Sequence, residues 1–174
     1  MKYLKFYYSE SINPLHKFGD KVIKEVQRTN FSHFAIGLLD SETGIEIIYE
    51  SIFPKSRRLL KDQWLNDYSP VLEMNLKISD ERFNESIWFL DTMIDKWYSL
   101  KQIFWIAFIG WFKIKTLFSN KVTINSKNKL ICTEMGYIYC KEFFNFDHDE
   151  NSDSVDLNDM LKIGKDISSN PIWK

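Results

Sequence analysis

The chain has 174 residues, of which 44% are hydrophobic and 16% aromatic, so it is long enough to bury one sizeable core. Its 23 basic and 24 acidic residues leave a formal charge of −1, which provides no field to attract nucleic acid. We expect a single domain over residues 1–174 that binds no nucleic acid and needs neither a metal ion nor a cofactor.

The first eight residues include two lysines, but the polar pair Ser9 and Glu10 follows, so this end lacks the apolar segment of a signal peptide. No stretch has the ~20 apolar residues of a transmembrane helix. Cys132 and Cys140 are the only cysteines, and on one helix they would lie ~12 Å apart, too far for a disulfide. We therefore expect a cytoplasmic protein, because a reducing compartment suits free thiols.

Residues 3–8 predict a short β-strand, which the polar segment at residues 9–14 should end. An amphipathic helix is expected next, ending near residues 28–30. Its apolar stripe comprises Phe18, Val22, Ile23 and Val26. Its polar face would carry His16, which is predicted to lie on the surface.

Residues 32–39 are almost all apolar, as in a strand covered on both faces, and residues 45–50 predict a second strand after a turn. The two should form a β-hairpin.

The register of this hairpin decides whether His33 and Glu50 can meet. If the loop is residues 40–43, His33 stands directly across from Glu50. A four-residue loop one position later pairs Ala35 with Glu50 and leaves His33 as a diagonal neighbour on the same face. Either register brings an imidazole and a carboxylate within reach, whereas an odd loop without a bulge would separate them. Taken singly, His33 would be a satisfied core histidine and Glu50 a solvated strand end.

Residues 55–58 predict a solvated basic loop, residues 59–68 a short helix and residues 71–78 a strand. Ser79 is a good N-cap, with two acidic residues after it in the first turn. The clearest helix of the sequence begins there. Its buried side is expected to comprise Phe83, Ile87, Leu90, Ile94 and Trp97.

The segment that begins at Ile103 and ends at Phe112 has no charged residue and is rich in aromatics. It is too short to span a bilayer, so we expect a buried helix or an aromatic substrate wall, with a membrane-surface contact as the alternative. The acidic residues 146–159, which include His148, should form a solvated loop. A calcium loop is not predicted, because Ser152 replaces the required glycine. A last short segment is expected at residues 155–163.

Cys132 follows a polar, basic segment and should open a helix. The apolar face of that helix comprises Met135, Tyr139 and Cys140. Unpaired backbone N–H groups, the helix dipole and the nearby Lys127 and Lys129 would favour the thiolate form of a cysteine at this position. Such a thiolate is a nucleophile. The alternative is that Cys132 is a small apolar core residue.

Three of these segments together resemble the circularly permuted branch of the NlpC-like, papain-like thiol hydrolases. They are Ser-His-Phe-Ala-Ile at residues 32–36, Tyr-Glu-Ser at 49–51 and Cys-Thr-Glu at 132–134. The resemblance spans roughly residues 5–165, and His33 precedes the cysteine, as the permutation requires. It implies an α+β, papain-like fold in permuted order, with an antiparallel sheet packed on the helix that bears the cysteine.

The resemblance also implies that Cys132 is the nucleophile, His33 the base and Glu50 the group that orients the imidazole. It implies cleavage of an amide, ester or thioester bond in a small peptide, amide or lipid-like substrate through an acyl-enzyme. Thr133 and Met135 depart from the commoner Ser and Leu of that helix start.

The segment at residues 100–125 is more hydrophobic than is usual in the family, which leaves the substrate open. One alternative is a membrane-surface lipid acyl hydrolase or acyltransferase that uses residues 103–112. Another is a non-catalytic binding module that keeps the fold. Its docking residues would be Trp105, Phe108 and Trp111.

Overall fold

The computed structural model describes residues 1–14, 17–99, 129–145 and 155–169. These residues form a mixed α+β structure in which a five-stranded antiparallel sheet packs against helices. The strands of the sheet are β1 (Lys2–Ser11), β2 (His33–Asp40), β3 (Ile45–Glu50), β4 (Arg57–Leu60) and β5 (Tyr68–Ile78). The helices are α1 (Lys17–Gln27), α2 (Lys61–Trp64), α3 (Asp80–Asp91), α4 (Cys132–Phe144) and α5 (Leu157–Ser169).

The strand order in the sheet is β4-β3-β2-β1-β5, and every pairing is antiparallel. Two short strands, β6 (Trp97–Tyr98) and β7 (Lys129–Leu130), form a separate parallel ribbon. This ribbon leads directly into α4, so the start of that helix is fixed by strand pairing. In the described part of the chain, no helix is both long and apolar enough to cross a membrane.

One face of the sheet carries the main core, because alternate side chains of each strand point to the same side. The helices α3, α4 and α5 pack against this face. Its fully buried strand residues include Leu4, Phe6, Tyr8, Phe34, Ile36 and Leu38. The opposite face carries a smaller buried cluster. That cluster comprises Tyr7, Ala35, Ile48, Trp64 and Tyr68.

Gly136 lets α4 approach β2 closely. A Cβ at this position would lie 2.4 Å from Cε1 of Phe34 and 2.7 Å from Cε of Met160 on α5. Both distances are shorter than real Cβ contacts, so no larger side chain fits without movement of a neighbour. The absence of a side chain here therefore sets how near the Cys132 helix lies to the strand of His33.

Several sequence predictions are confirmed. The hairpin has the later of the two registers, with Ala35 paired to Glu50 and a left-handed Gly44 (φ 71°) in the turn. Helix α1 is present, although Val22 is exposed. Ser79 caps α3 by accepting a hydrogen bond from the backbone N–H of Arg82 at 3.2 Å. A helix does begin at Cys132.

Other predictions were wrong. The polar segment after residue 8 does not end β1, which continues to Ser11 because it stays paired with β5. The basic loop expected at residues 55–58 is wrong at 57–58, because residues 57–60 pair with β3 as the strand β4. The helix expected over residues 59–68 is only α2.

The helix α3 is shorter than its periodicity predicts. It ends at Asp91, and a turn follows in which Asp95 has a left-handed backbone (φ 63°). Ile94 is therefore only partly buried, and Trp97 is exposed on β6. The predictions for residues 100–128, which include Lys127 and the aromatic segment at 103–112, and for residues 146–154 lie outside the described residues, as do His16 and His148.

Candidate active site

The β-hairpin brings His33 and Glu50 together at the end of the sheet where β2 begins and β3 ends. Since Ala35 pairs with Glu50, His33 lies diagonally across on the same face. Its Nε2 atom is 2.7 Å from Oε2 of Glu50. Both side chains are buried, and none of Glu50 is exposed to solvent.

Three hydrogen-bond donors from three elements surround the Glu50 carboxylate. His33 on β2 and Trp64 on α2 both donate to Oε2, the latter from Nε1 at 3.0 Å. Arg57 on β4 donates from Nε to Oε1 at 2.7 Å. A buried carboxylate is costly unless it is paired and hydrogen-bonded, and this arrangement provides both.

The pKa of Glu50 reflects this balance. Burial tends to raise it, but the hydrogen bond and charge of His33 and the charge of Arg57 outweigh burial and lower the pKa below its ordinary value of 4.5. Glu50 is therefore ionised at neutral pH and faces His33 as a negative charge.

The plane of the His33 ring is fixed by aromatic packing. The ring stacks on Tyr68, with centroids 4.5 Å apart and planes 16° from parallel. Tyr68 in turn stacks on Trp64, with centroids 5.4 Å apart. Because Trp64 also donates to Glu50, the same side chain supports both the ring and its carboxylate partner. His33 is thus held at its edge by Glu50 and at its face by Tyr68.

Cys132 enters the site from the first position of α4. The carboxylate of Glu134 accepts a hydrogen bond at 3.4 Å from the backbone N–H of Ile131, which precedes the helix. The Oγ of Ser51, next to Glu50, donates to the carbonyl of Leu130 at 2.8 Å and so ties the end of β3 to β7. Cys132 lies close enough to His33 to raise the pKa of its imidazole. Since Nε2 of the imidazole is bonded to Glu50, Nδ1 is the ring nitrogen left for another partner.

These contacts decide the charge of His33. Burial lowers its pKa, but the interaction with Cys132 and the hydrogen bond and negative charge of Glu50 outweigh burial and raise the pKa to about 10. The ring is therefore an imidazolium at neutral pH, held between a carboxylate and a cysteine sulfur. This is the arrangement that a cysteine nucleophile needs.

Cys140 does not share this environment. Both cysteines are buried in the main core, with Cys132 6% exposed and Cys140 not exposed at all. Cys140 lies two helical turns beyond Cys132, and burial raises the pKa of its thiol. Both cysteines are free. Among the described residues, no group of three or more His, Cys, Asp or Glu side chains could hold a metal ion.

Arg57, Trp64 and Tyr68 were missed from the sequence. Arg57 stands among other cations in a segment predicted to be a loop, and its pairing with Glu50 depends on the β3–β4 ladder, which a loop there excludes. A signal was available, however. A buried Glu50 requires a positive partner, and Lys55, Arg57 and Arg58 are the nearest cations along the chain.

A scan against models of known protein families found no match to this chain, and a search of curated proteins found no similar sequence. A functional assignment therefore depends on the fold and on the geometry of the Cys132, His33 and Glu50 side chains.

Proposed function

We propose that this protein is a cysteine hydrolase with a papain-like fold in circularly permuted order, and that it cleaves an amide, ester or thioester bond through an acyl-enzyme on Cys132. The observation that supports this most directly is a single imidazole, His33, that is hydrogen-bonded to the buried Glu50 carboxylate and lies close enough to Cys132 for the two groups to interact.

The architecture supports the same assignment at a coarser level. An antiparallel sheet provides the histidine and the carboxylate from adjacent strands, and a helix packed on that sheet provides the cysteine from its first turn. The histidine strand precedes the cysteine helix in the chain, which is the permuted order.

In the proposed mechanism, His33 carries a proton before the substrate binds. The Cys132 sulfur attacks the carbonyl carbon of the substrate, and the backbone N–H groups at the start of α4 are the natural donors to the resulting oxyanion. His33 then gives its proton to the leaving group, the scissile bond breaks, and an acyl-enzyme remains. Water, deprotonated by His33, attacks the acyl carbon and releases the acid. An acceptor other than water would make the protein an acyltransferase.

Thiol labelling of the native chain tests this proposal. Iodoacetamide and electrophilic peptide and lipid-like probes should modify Cys132 below pH 7. Cys140 has no exposed surface and a thiol pKa raised by burial, so it should react only after unfolding. Cys140→Ser is the matched control and should keep the labelling, while Cys132→Ser should abolish it. Mass spectrometry identifies the modified residue. Equal slow labelling of both cysteines would contradict the proposal and favour a binding module without turnover.

A lipid substrate is the second candidate, favoured by an aromatic rim beside the site. The rim consists of Phe53 and Trp97, which are 57% and 56% exposed, and of Lys55, whose Nζ lies 5.0 Å above the Trp97 ring. Trp97 belongs to β6, which pairs with β7 just before Cys132. Exposed aromatics with a lysine are typical of contacts with the membrane interface. The rim would place the site against an acyl lipid.

Flotation with phosphatidylcholine vesicles, with and without an anionic phospholipid, tests the lipid candidate. The wild-type chain should float with vesicles, and Phe53→Ser combined with Trp97→Ser should not. Trp88→Ser is the control, because Trp88 is equally apolar and 72% exposed but lies on α3. If the wild-type chain stays with the soluble fraction, a peptide or other soluble amide is the better substrate class.

A further inference from the structure

Arg57 connects the buried site with the surface. Its Nε donates to Oε1 of Glu50 at 2.7 Å, and its Nη2 donates to Oδ2 of Asp67 at 3.1 Å. The Arg57 side chain is 40% exposed, whereas Glu50 is fully buried. Asp67 is itself held by the side-chain amide of Asn13 at 3.1 Å. One planar group thus bridges a buried carboxylate and an anchored one near the surface.

We propose that Arg57 is a positioning residue for the reaction: by holding Oε1 of Glu50, it leaves Oε2 aimed at His33 and so keeps the imidazole directed toward Cys132. This inference depends on the proposed function above. Trp64 assists from the other side, because its Nε1 donates to the same Oε2 atom that His33 contacts. The two carboxylate oxygens of Glu50 therefore have separate partners and cannot exchange roles.

The geometry requires an arginine at this position. Two different nitrogens of the guanidinium are used, one for each carboxylate, and the rigid plane fixes the angle between them. A lysine would supply the charge from a single point on a flexible stem. We therefore expect Arg57→Lys to preserve the electrostatic effect of Arg57 and to lose part of its positioning effect.

A purely structural role for Arg57 is the competing explanation, because an ion pair could simply fasten β4 to β3. The two roles differ in their effect on the pH dependence of the site. Loss of a nearby positive charge raises the pH at which each neighbouring group gives up its proton. The titratable groups that interact with Arg57 are Glu50, Asp67 and Tyr68. His33, Cys132 and Asp20 interact in turn with Glu50 or Tyr68.

The first test is the rate of iodoacetamide modification of Cys132 between pH 4 and pH 10 in the full chain. The alkylation rate should show one pH transition at the acidic end, one at the alkaline end and a plateau between them. For Arg57→Gln, we expect the midpoints of both transitions to move to higher pH by about one unit and the plateau rate to fall. Arg57→Lys should keep both midpoints near those of the wild type. Its plateau rate should lie between those of the wild type and Arg57→Gln. Arg58→Gln is the matched control, since Arg58 is the neighbouring residue and binds Asp91 instead. A reduced plateau with unmoved midpoints in Arg57→Gln would overturn the proposal.

The second test separates this inference from the proposed function. In a Cys132→Ala background, NMR follows the titration of the His33 ring, assigned by comparison with His33→Asn. Adding Arg57→Gln should raise the titration midpoint, and adding Arg58→Gln should not; an unchanged midpoint overturns the role of Arg57 even if Cys132 is reactive. If wild-type Cys132 is unreactive but the midpoint moves, the proposed function fails and the coupling of Arg57 to His33 stands. Should Arg57→Gln fail to fold, Arg57→Lys provides the first test alone: a plateau rate of Cys132 alkylation equal to that of the wild type would overturn the positioning role of Arg57.

Discussion

The Glu50 carboxylate explains why the three site residues should act as a unit. Its charge favours the imidazolium form of His33, and the imidazolium in turn contacts the cysteine. An amide at position 50 could still accept a hydrogen bond, but it carries no charge to stabilise the imidazolium. Glu50 therefore acts on Cys132 only through His33.

The first prediction concerns His33→Ala and Glu50→Gln. Without the imidazolium, Cys132 should behave as an ordinary free thiol, and its alkylation at pH 6 should slow by ~10²-fold or more. Glu50→Gln should cause a smaller loss. The double variant should be no slower than His33→Ala alone, because groups that act together are lost together.

The measurement is a double-mutant cycle on the alkylation rate as a function of pH. Circular dichroism should show that each variant is folded. If the two effects multiply independently, or if Glu50→Gln leaves the pH profile unchanged, Glu50 is not the group that orients His33.

At the level of elements, α3 provides a direct comparison between a buried and an exposed position. Leu90 is completely buried against the main core, and Trp88 on the same helix is 72% exposed. Leu90→Ala should lower the free energy of unfolding by ~2–5 kcal/mol through lost burial and the remaining cavity. Trp88→Ala should change it by ~0.5 kcal/mol or less. Urea denaturation of both variants measures the difference, and similar values would contradict the packing described for α3.

The contact between α4 and β2 gives a further prediction. Gly136→Ala forces a methyl group against Phe34, the neighbour of His33, and should cost ~1–3 kcal/mol of unfolding free energy. The displaced helix should also slow alkylation of Cys132, because the distance to the imidazole increases. Gly19→Ala on α1 is the control. It has no atom within 4 Å of the added methyl and should leave both quantities unchanged or raise stability by up to ~1 kcal/mol.

Elements with strong local signals could be predicted from the sequence. The hairpin followed from two apolar runs around a turn, and the start of α3 from the Ser79 cap. The strand β4 could not, because residues 57–60 become a strand only by pairing with β3. The end of α3 was also missed, since Ile94 and Trp97 continue the helical spacing although the backbone turns at Asp95. Propensity and periodicity contain neither the pairing partner of β4 nor the backbone turn at Asp95.

As with the fold, only part of the candidate site could be predicted from the sequence. His33 and Glu50 came from the register of a local hairpin, and Cys132 from the start of a helix. Arg57 and Trp64 depend on elements whose position is set by the rest of the sheet. The groups proposed to react were therefore easier to find than the groups that hold them.

For the whole molecule, the shifted pKa values predict how stability depends on pH. The pKa of His33 is raised from 6.5 to about 10, so its contribution is fully present below pH 6.5 and is lost as pH rises toward about 10. The pKa of Glu50 is lowered from 4.5, so its contribution is present above pH 4.5 and is lost at lower pH. The pair should stabilise the fold most between about pH 4.5 and 6.5.

The comparison between the wild type and His33→Asn tests this expectation. The difference in the free energy of unfolding between the two should be greatest at pH 5–6 and smaller at pH 9, whatever constant loss the substitution causes. Urea denaturation across this pH range provides the measurement. A difference that is the same at every pH would show that His33 and Glu50 do not form a charged pair in the folded state.

The separation of the site along the chain also determines when reactivity appears during folding. His33 and Glu50 are only 17 positions apart in one hairpin, a unit that forms in microseconds. Cys132 joins His33 and Glu50 only when α4 docks on the sheet, and this docking requires closure of a much longer loop. A newly synthesised or partly unfolded chain can therefore pair His33 with Glu50 before Cys132 is in place. Under the proposed function, reactive thiol chemistry would be confined to molecules that have completed their fold.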